Sequence, residues 1–401
     1  MNTVASISKD IYYVGASDRR LARFENLFPI PRGISYNSYV ILDEKNVLLD
    51  TADSSVGAQF LENVTTALAG RKLDYLVIDH MEPDHAAMLG EVIARWPELQ
   101  LVCNAKTVPM LRMYFPADGG KIDAALVVKE GDTLPLGAHT LQFVMAPMVH
   151  WPEVMMTFDT ATGTLFTADA FGTFGALDGP LFADEVDFAR DWLDDARRYY
   201  TNIVGKYGMP VQTVLKKAAG LPIKTIAPLH GPIWRENLAW LLGKYDLWSR
   251  YQPEEQAVTI LYGSMYGNTA SAAQALAAKL AQRGVHQVSV KDLSAIDVSE
   301  AVAECWRAST IVLACPTYNG GLYPVMANLL EDLQALGLQN RTFALIENGS
   351  WAPGAVRAMT AKLAALKNCT VLDATLTVRG ALHDEQSPAL DTLADAVAAT
   401  L

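Results

Sequence analysis

Cysteine is scarce and dispersed in this 401-residue chain, which has only Cys103, Cys305, Cys315 and Cys369. No C-x-x-C pair occurs, which excludes an iron–sulfur or rubredoxin-type centre built from these residues and leaves buried thiols as the expectation. Long apolar runs are also missing; nothing approaches the roughly 20 residues needed to cross a bilayer. The opening MNTVASISKDIYYVGA carries no basic segment followed by an apolar core and a cleavage site, so the expected location is the cytoplasm. Basic residues are outnumbered, 32 Lys and Arg against 44 Asp and Glu, and the deficit is shared by both halves of the chain. A field of that sign argues against nucleic acid or an anionic membrane surface as partner.

What is present is apolar material for more than one core. Hydrophobic residues are 51% of the chain and charged residues 19%, a globular composition, and the length points to two domains. Strand-like runs stand at Asp10 to Gly15, Tyr36 to Leu42 and Asn46 to Asp50, then at Leu73 to Asp79, Thr140 to Met145, Val154 to Phe158 and Thr164 to Thr167. Helical patterns fall at Val56 to Ala69, Ala86 to Trp96, Phe188 to Ile203 and Val211 to Ala219. The polar, proline-containing stretch Tyr251 to Gln256 marks a boundary, giving expected domains 1–252 and 253–401. Beyond it five strand–helix units follow in regular alternation, from Val258 to Tyr262 through Val371 to Thr377. That alternation predicts a doubly wound parallel sheet of the α/β class.

The densest chemistry in the first domain is Asp79-His80-Met81-Glu82-Pro83-Asp84-His85, with several potential metal ligands within a few residues. In extended backbone His80 and Glu82 point to one side, while Pro83 turns the chain before Asp84 and His85 open the next helix. His150, Asp169 and His230 follow, each at the end of a strand-like run. A carboxylate can bridge two cations, so Asp169 is the expected shared ligand. His80, Glu82 and His150 suit one metal; Asp84 and His230 suit the other, with the part of His85 left open. His139, His286 and His383 stand outside this ligand pattern and are expected at the surface or as satisfied polar groups.

In the second domain the first strand runs into Ser264-Met265-Tyr266-Gly267-Asn268-Thr269 at the start of a helix. Hydroxyls together with helix-terminal N–H groups make a place for a phosphate, and Gly267 permits a tight turn. Two more loops end strands nearby in a sheet of this kind: Pro316-Thr317-Tyr318-Asn319-Gly320-Gly321 and Asn348-Gly349-Ser350-Trp351-Ala352. In open α/β sheets ligands sit beyond the carboxyl ends of the strands at the switch point, where such loops converge. Tyr318 and Trp351 are expected to cover a flavin ring.

The metal motif resembles that of the metallo-β-lactamase superfamily, H-x-H-x-D-H on an αβ/βα sandwich, with Glu82 where that motif has its second histidine. A carboxylate there makes the site harder and more anionic, which suits iron better than zinc. Together with loops that look like the FMN site of flavodoxins, it resembles the flavodiiron proteins (A-type flavoproteins) over nearly the whole chain. One departure is that Glu347 and Asn348 precede Gly349, where these proteins often carry a glycine-rich stretch. The resemblance implies FMN and two iron ions as cofactors, and reduction of dioxygen to water, nitric oxide to nitrous oxide, or both. It also implies an external electron donor such as rubredoxin or another reductase, and a head-to-tail homodimer or dimer of dimers. Tyr199 or Tyr200 could assist the bound gas from behind the ligands, although a Tyr-Tyr pair on a helix is more often core packing. The rival readings are a metallo-β-lactamase-type hydrolase with an accessory flavodoxin domain, and a non-catalytic electron carrier or sensor.

Overall fold

The computed structural model describes residues 2–401. Its contacts divide the chain into two compact units: one holds the residues up to Tyr200 together with Met209–Tyr245, the other Thr201–Gly208 with Asp246–Leu401. The expected cut at residue 252 therefore differs from the grouping by contact. Helix Leu238–Ser249 spans the change, and its last turn packs with the second unit, where Trp306 donates its indole N–H to the Trp248 carbonyl at 3.3 Å.

The first unit contains two sheets with helices. In the seven-stranded sheet, strands Tyr39–Ile41, Val47–Leu49 and Tyr75–Val77 lie side by side and continue in parallel through Gln100–Asn104 to Leu126–Val128. The five-stranded sheet runs Thr133–Pro135, Thr140–Met145, Met155–Asp159, Thr164–Phe166 and Thr225–Ala227. Strands such as Val47–Leu49 and Thr164–Phe166 are buried at every residue, which explains their unbroken apolar runs. This is the sandwich expected from the sequence. Two expected helices are broken: Ala86 to Trp96 becomes Pro83–Ala86 and Leu89–Arg95, and Phe188 to Ile203 is interrupted at Trp192 and ends in a π-helical turn, Tyr200–Val204. Apolar periodicity continues through such breaks because it reports which face is buried, not whether the backbone bonds are continuous. The short pair Arg23–Phe24 and Phe28–Pro29 was not anticipated.

The second unit is a parallel sheet in the order Val288–Asp292, Glu255–Tyr262, Ala308–Tyr318, Thr342–Asn348, Thr370–Val378, that is 2-1-3-4-5. Helix Asn268–Gln282 lays Ala272, Ala273, Leu276 and Leu280 on one face of the sheet, against Val258, Ile260, Val312 and Ile346. Each fully buried Val, Leu or Ile contributes about 1.5–3 kcal/mol. Arg341, 2% exposed, has no carboxylate among its hydrogen-bond partners. It donates to the carbonyls of Tyr251, Cys305, Trp306, Gln339 and Asn340 instead, and burial lowers its pKa to about 10. No helix among the described residues is long and apolar enough to cross a membrane.

Candidate metal centre and flavin cleft

The segment Asp79–His85 is pinned from several directions. Asp50 accepts from the backbone N–H groups of Asp79 (2.9 Å) and His80 (3.2 Å), and Thr51 donates its hydroxyl to the His85 carbonyl at 2.6 Å. Glu153 accepts both from the Met81 N–H and from His80 Nδ1, each at 2.9 Å. His150 stands in the loop between strands Thr140–Met145 and Met155–Asp159, Asp169 just beyond Thr164–Phe166, and His230 just beyond Thr225–Ala227. His230 donates from Nδ1 to the Ser35 carbonyl at 2.7 Å, and Gly231 turns the chain with a φ of 77° that a side chain would strain.

All seven predicted ligand residues are buried and fall into two clusters: His80, Glu82, His150 and Asp169, then Asp84, His85 and His230. Asp169 faces both. Its Oδ2 lies 3.0 Å from His150 Nε2 and 3.4 Å from His80 Nε2, while its Oδ1 lies 3.0 Å from His85 Nε2 and 3.7 Å from His230 Nε2. Glu82 reaches His150 at 3.0 Å, and Asp84 lies 3.3 Å from both His85 and His230. Neither oxygen of Asp84, nor Oδ1 of Asp169, has a hydrogen-bond donor. Because His80 donates through Nδ1, its Nε2 in the neutral ring carries a lone pair directed at two carboxylates, which needs a cation between them. The residues fit a pair of divalent metal ions, Asp169 giving one oxygen to each cluster.

The electrostatics without metal say the same. Burial alone would lower His85 and His150, yet the carboxylates of Asp84, Asp169 and Glu82 raise both to about 9. Burial would raise Asp169, yet His85 and His80 hold it well below the usual carboxylate range. The site attracts positive charge, as protons when nothing else is there. Aromatic rings close it off: Phe24, Tyr36 and Tyr199 lie 5.4, 5.8 and 5.5 Å from the His230 ring, and Trp151 lies 5.4 Å from His80. The buried Tyr199 hydroxyl has no partner.

Sequence reasoning missed three residues here. Glu153 carried no motif, Asp50 only ends a strand, and Glu25 sits in the turn of the unanticipated Arg23–Pro29 pair. Burial and the Glu82 carboxylate beside it raise Glu25 to about 8. No local pattern announces any of them, because each meets the ligands only through the tertiary fold. His139, expected to be surface or satisfied, is buried, with Nδ1 bonded to Asp159 at 3.0 Å.

In the second unit a cleft of about 360 Å³ is lined by Ser264, Met265, Tyr266, Asn268, Thr269, Pro316, Thr317, Asn319, Gly320, Asn348, Gly349, Ser350, Trp351, Ala352 and Gly380. Helix Asn268–Gln282 begins there with no side-chain cap, so its first N–H groups are open to an anion. Ser264 Oγ accepts from the Gly267 N–H, and Thr317 Oγ1 accepts from the Gly354 N–H, joining the second loop to the third. Asn348 exchanges two hydrogen bonds with Gly380, a residue the sequence reading omitted. Gly267, Tyr318 and Gly321 do not line the cleft. The turn at Asn319 and Gly320, both at positive φ, reverses the chain, and Tyr318 packs edge-on to Tyr323. Tyr266 and Trp351 are the exposed rings at the rim.

A sandwich unit carrying two carboxylate–histidine clusters, joined to a flavodoxin-like unit with an open helix terminus, defines a metal- and flavin-dependent redox protein. The family models that match are the ODP family beta lactamase over residues 34–231 and flavodoxin over residues 260–393. The chain is 32% identical over 362 residues to the anaerobic nitric oxide reductase flavorubredoxin of Escherichia coli (strain K12 / DH10B), covering 89% of this chain and 74% of that one. Among solved structures it is similar to the flavodiiron protein from Giardia intestinalis (TM-score 0.92, 25% identity, 100% of this chain and 97% of that one). It is also similar to rubredoxin oxygen:oxidoreductase from Desulfovibrio gigas (TM-score 0.91, 26% identity, 99% and 98%). The chain belongs to the flavodiiron protein family.

Proposed function

We propose that this protein is an oxidoreductase that reduces dioxygen to water, nitric oxide to nitrous oxide, or both, at two irons held by His80, Glu82, His150, Asp84, His85 and His230 with Asp169 shared. FMN occupies the cleft bounded by Ser264, Thr269, Thr317 and Trp351. The observation that carries this reading is Asp169, which offers one buried oxygen to each cluster. Bound there, the irons supply redox-active coordination for a diatomic gas, and the flavin supplies stored electrons. The chain's own residues do the rest. Glu82 and Asp84 add negative charge that favours iron over softer ligand preferences. Phe24, Tyr36 and Trp151 keep bulk water away, and the Tyr199 ring lies 5.5 Å from that of His230, its buried hydroxyl partnerless and so free to donate a hydrogen bond.

Electrons come from a rubredoxin-type donor or another reductase, since the four cysteines are separate and Cys103, Cys305 and Cys315 are buried. The metal and flavin sites belong to different units, and electron transfer needs a short gap. A head-to-tail pair of copies meets that need and would cover the exposed Tyr266 and Trp351 rings. The cytoplasm is the proposed compartment. Two of the relatives named above are, by name, a nitric oxide reductase and an oxygen:oxidoreductase, which supports the reductase reading over the hydrolase one. The test is elemental analysis of protein from its native host together with gas consumption. Close to two irons per chain, and turnover that is slow with NADH alone but rises sharply with a rubredoxin and its reductase, are expected. Two zincs with no iron would defeat the reading.

A further inference from the structure

The two clusters are alike in ligand number but not in how their imidazoles are held. In the first, His80 donates from Nδ1 to Glu153 Oε1. Glu153 is 1% exposed, and the same oxygen accepts the Met81 N–H from the ligand segment itself. Glu153 stands three residues after His150, in the loop that carries that ligand, and its carbonyl is held by the Asn104 amide. One carboxylate therefore fixes the His80 tautomer, orients its ring, and fastens the Asp79–His85 segment to the loop of His150. Its second oxygen, Oε2, is buried without a donor, so the carboxylate is directed at His80 and Met81 of the ligand segment. In the second cluster nothing equivalent exists. His230 leans on a neutral backbone carbonyl, and His85 Nδ1 is buried with no partner at all.

We propose that Glu153 is a positioning residue that makes the metal pair unequal: the ion between His80, Glu82 and His150 is the firmly held one, and the ion between Asp84, His85 and His230 leaves first. A carboxylate behind a ligating imidazole raises its basicity and locks its direction, and losing such a partner typically weakens metal binding by about 10–100-fold. The inference rests on the seven residues being ligands of two irons.

The experiment is anaerobic chelator titration of the full-length, iron-57-loaded protein, followed by iron counting and Mössbauer spectroscopy, with FMN content and circular dichroism as checks of folding. The wild type is expected to release its irons in two steps separated by at least about tenfold in chelator concentration. The single-iron form should retain one of the two original doublets. Glu153→Ala should bring the two steps together and shift the doublet of the retained iron while leaving the other unmoved. Glu153→Gln preserves an oxygen able to accept both N–H groups and removes only the charge, so it should keep both irons and narrow the gap partway. Release of both wild-type irons in one step, a gap unchanged in Glu153→Gln, or equal shifts of both doublets in Glu153→Ala would overturn the proposal. Wild-type protein that binds no iron pair would overturn the ligand reading and this inference together, a result distinct from the others.

Discussion

Seven residues, none more than 9% exposed, line the proposed metal centre, whereas the proposed flavin cleft is a set of loop ends whose rim rings, Tyr266 and Trp351, are 90% and 84% exposed. The first site selects its ligand by side-chain chemistry: hard oxygens, imidazole nitrogens and buried charge that only a cation relieves. The second selects by backbone, through an uncapped helix terminus and turns that bring N–H groups to one place. Side-chain sites fail when a ligand is removed; backbone sites fail when the chain cannot take its shape. That difference predicts how each will respond to change.

The largest effect should come from Asp169→Ala, which removes the one group facing both clusters. Oxygen and nitric oxide turnover should drop to the background of free reduced flavin, while FMN stays bound and bleaches normally under anaerobic reduction. Near-normal turnover in that variant would move the chemistry from the metals to the flavin and erase the contrast between the sites. Next, Arg341→Met strips hydrogen bonds from several buried carbonyls in the second unit, a cost of about 3 kcal/mol. Chemical unfolding followed by flavin release should show the second unit melting early with the irons retained.

A smaller effect is expected from Gly267→Ala. A Cβ there has open space around it, but φ is 90°, so the penalty is backbone strain of about 1–2 kcal/mol. FMN affinity, measured by fluorescence titration, should weaken about tenfold with iron content unchanged. Smallest is a pH effect confined to iron-stripped protein. His85 and His150 titrate at about 9 in the fold against 6.5 when free, so their contribution is complete below about pH 6.5 and is lost as pH rises through 9. Thermal melts should show the stripped protein weakening over that range and the iron-loaded protein far less affected.

The same contrast explains what could be read from residues alone. His80 to His85 announced themselves because ligand types at such spacing are rare by chance, and the positions of His150, Asp169 and His230 at strand ends followed from alternation. The parallel sheet of the second unit was visible because each strand–helix unit repeats the same apolar rhythm. Glu153 and Glu25 were invisible, since an acid far away in sequence acquires its part only when the fold brings it against His80 or Glu82. Tyr318 does not line the cleft for a local reason: beyond it the Asn319–Gly320 turn reverses the chain and its ring meets Tyr323, a direction that a motif of residue types does not encode. Helix continuity was overestimated from Phe188 to Ile203, where Trp192 keeps the apolar face but breaks the backbone.

Residues 201–208 group with the second unit although the chain returns afterwards to the first. Asn202 donates to the Ser299 carbonyl, and the Gly208 N–H bonds to the Tyr251 hydroxyl. A gene fragment beginning at the proline-containing linker would therefore express a flavodoxin stripped of one of its own pieces, and the remaining fragment would carry that piece as an orphan. Anyone dissecting this enzyme, or grafting its flavin half onto another partner, should expect a linear cut to yield two poorly soluble products. Supplying Thr201–Gly208 in trans, or by circular permutation, should recover the flavin half.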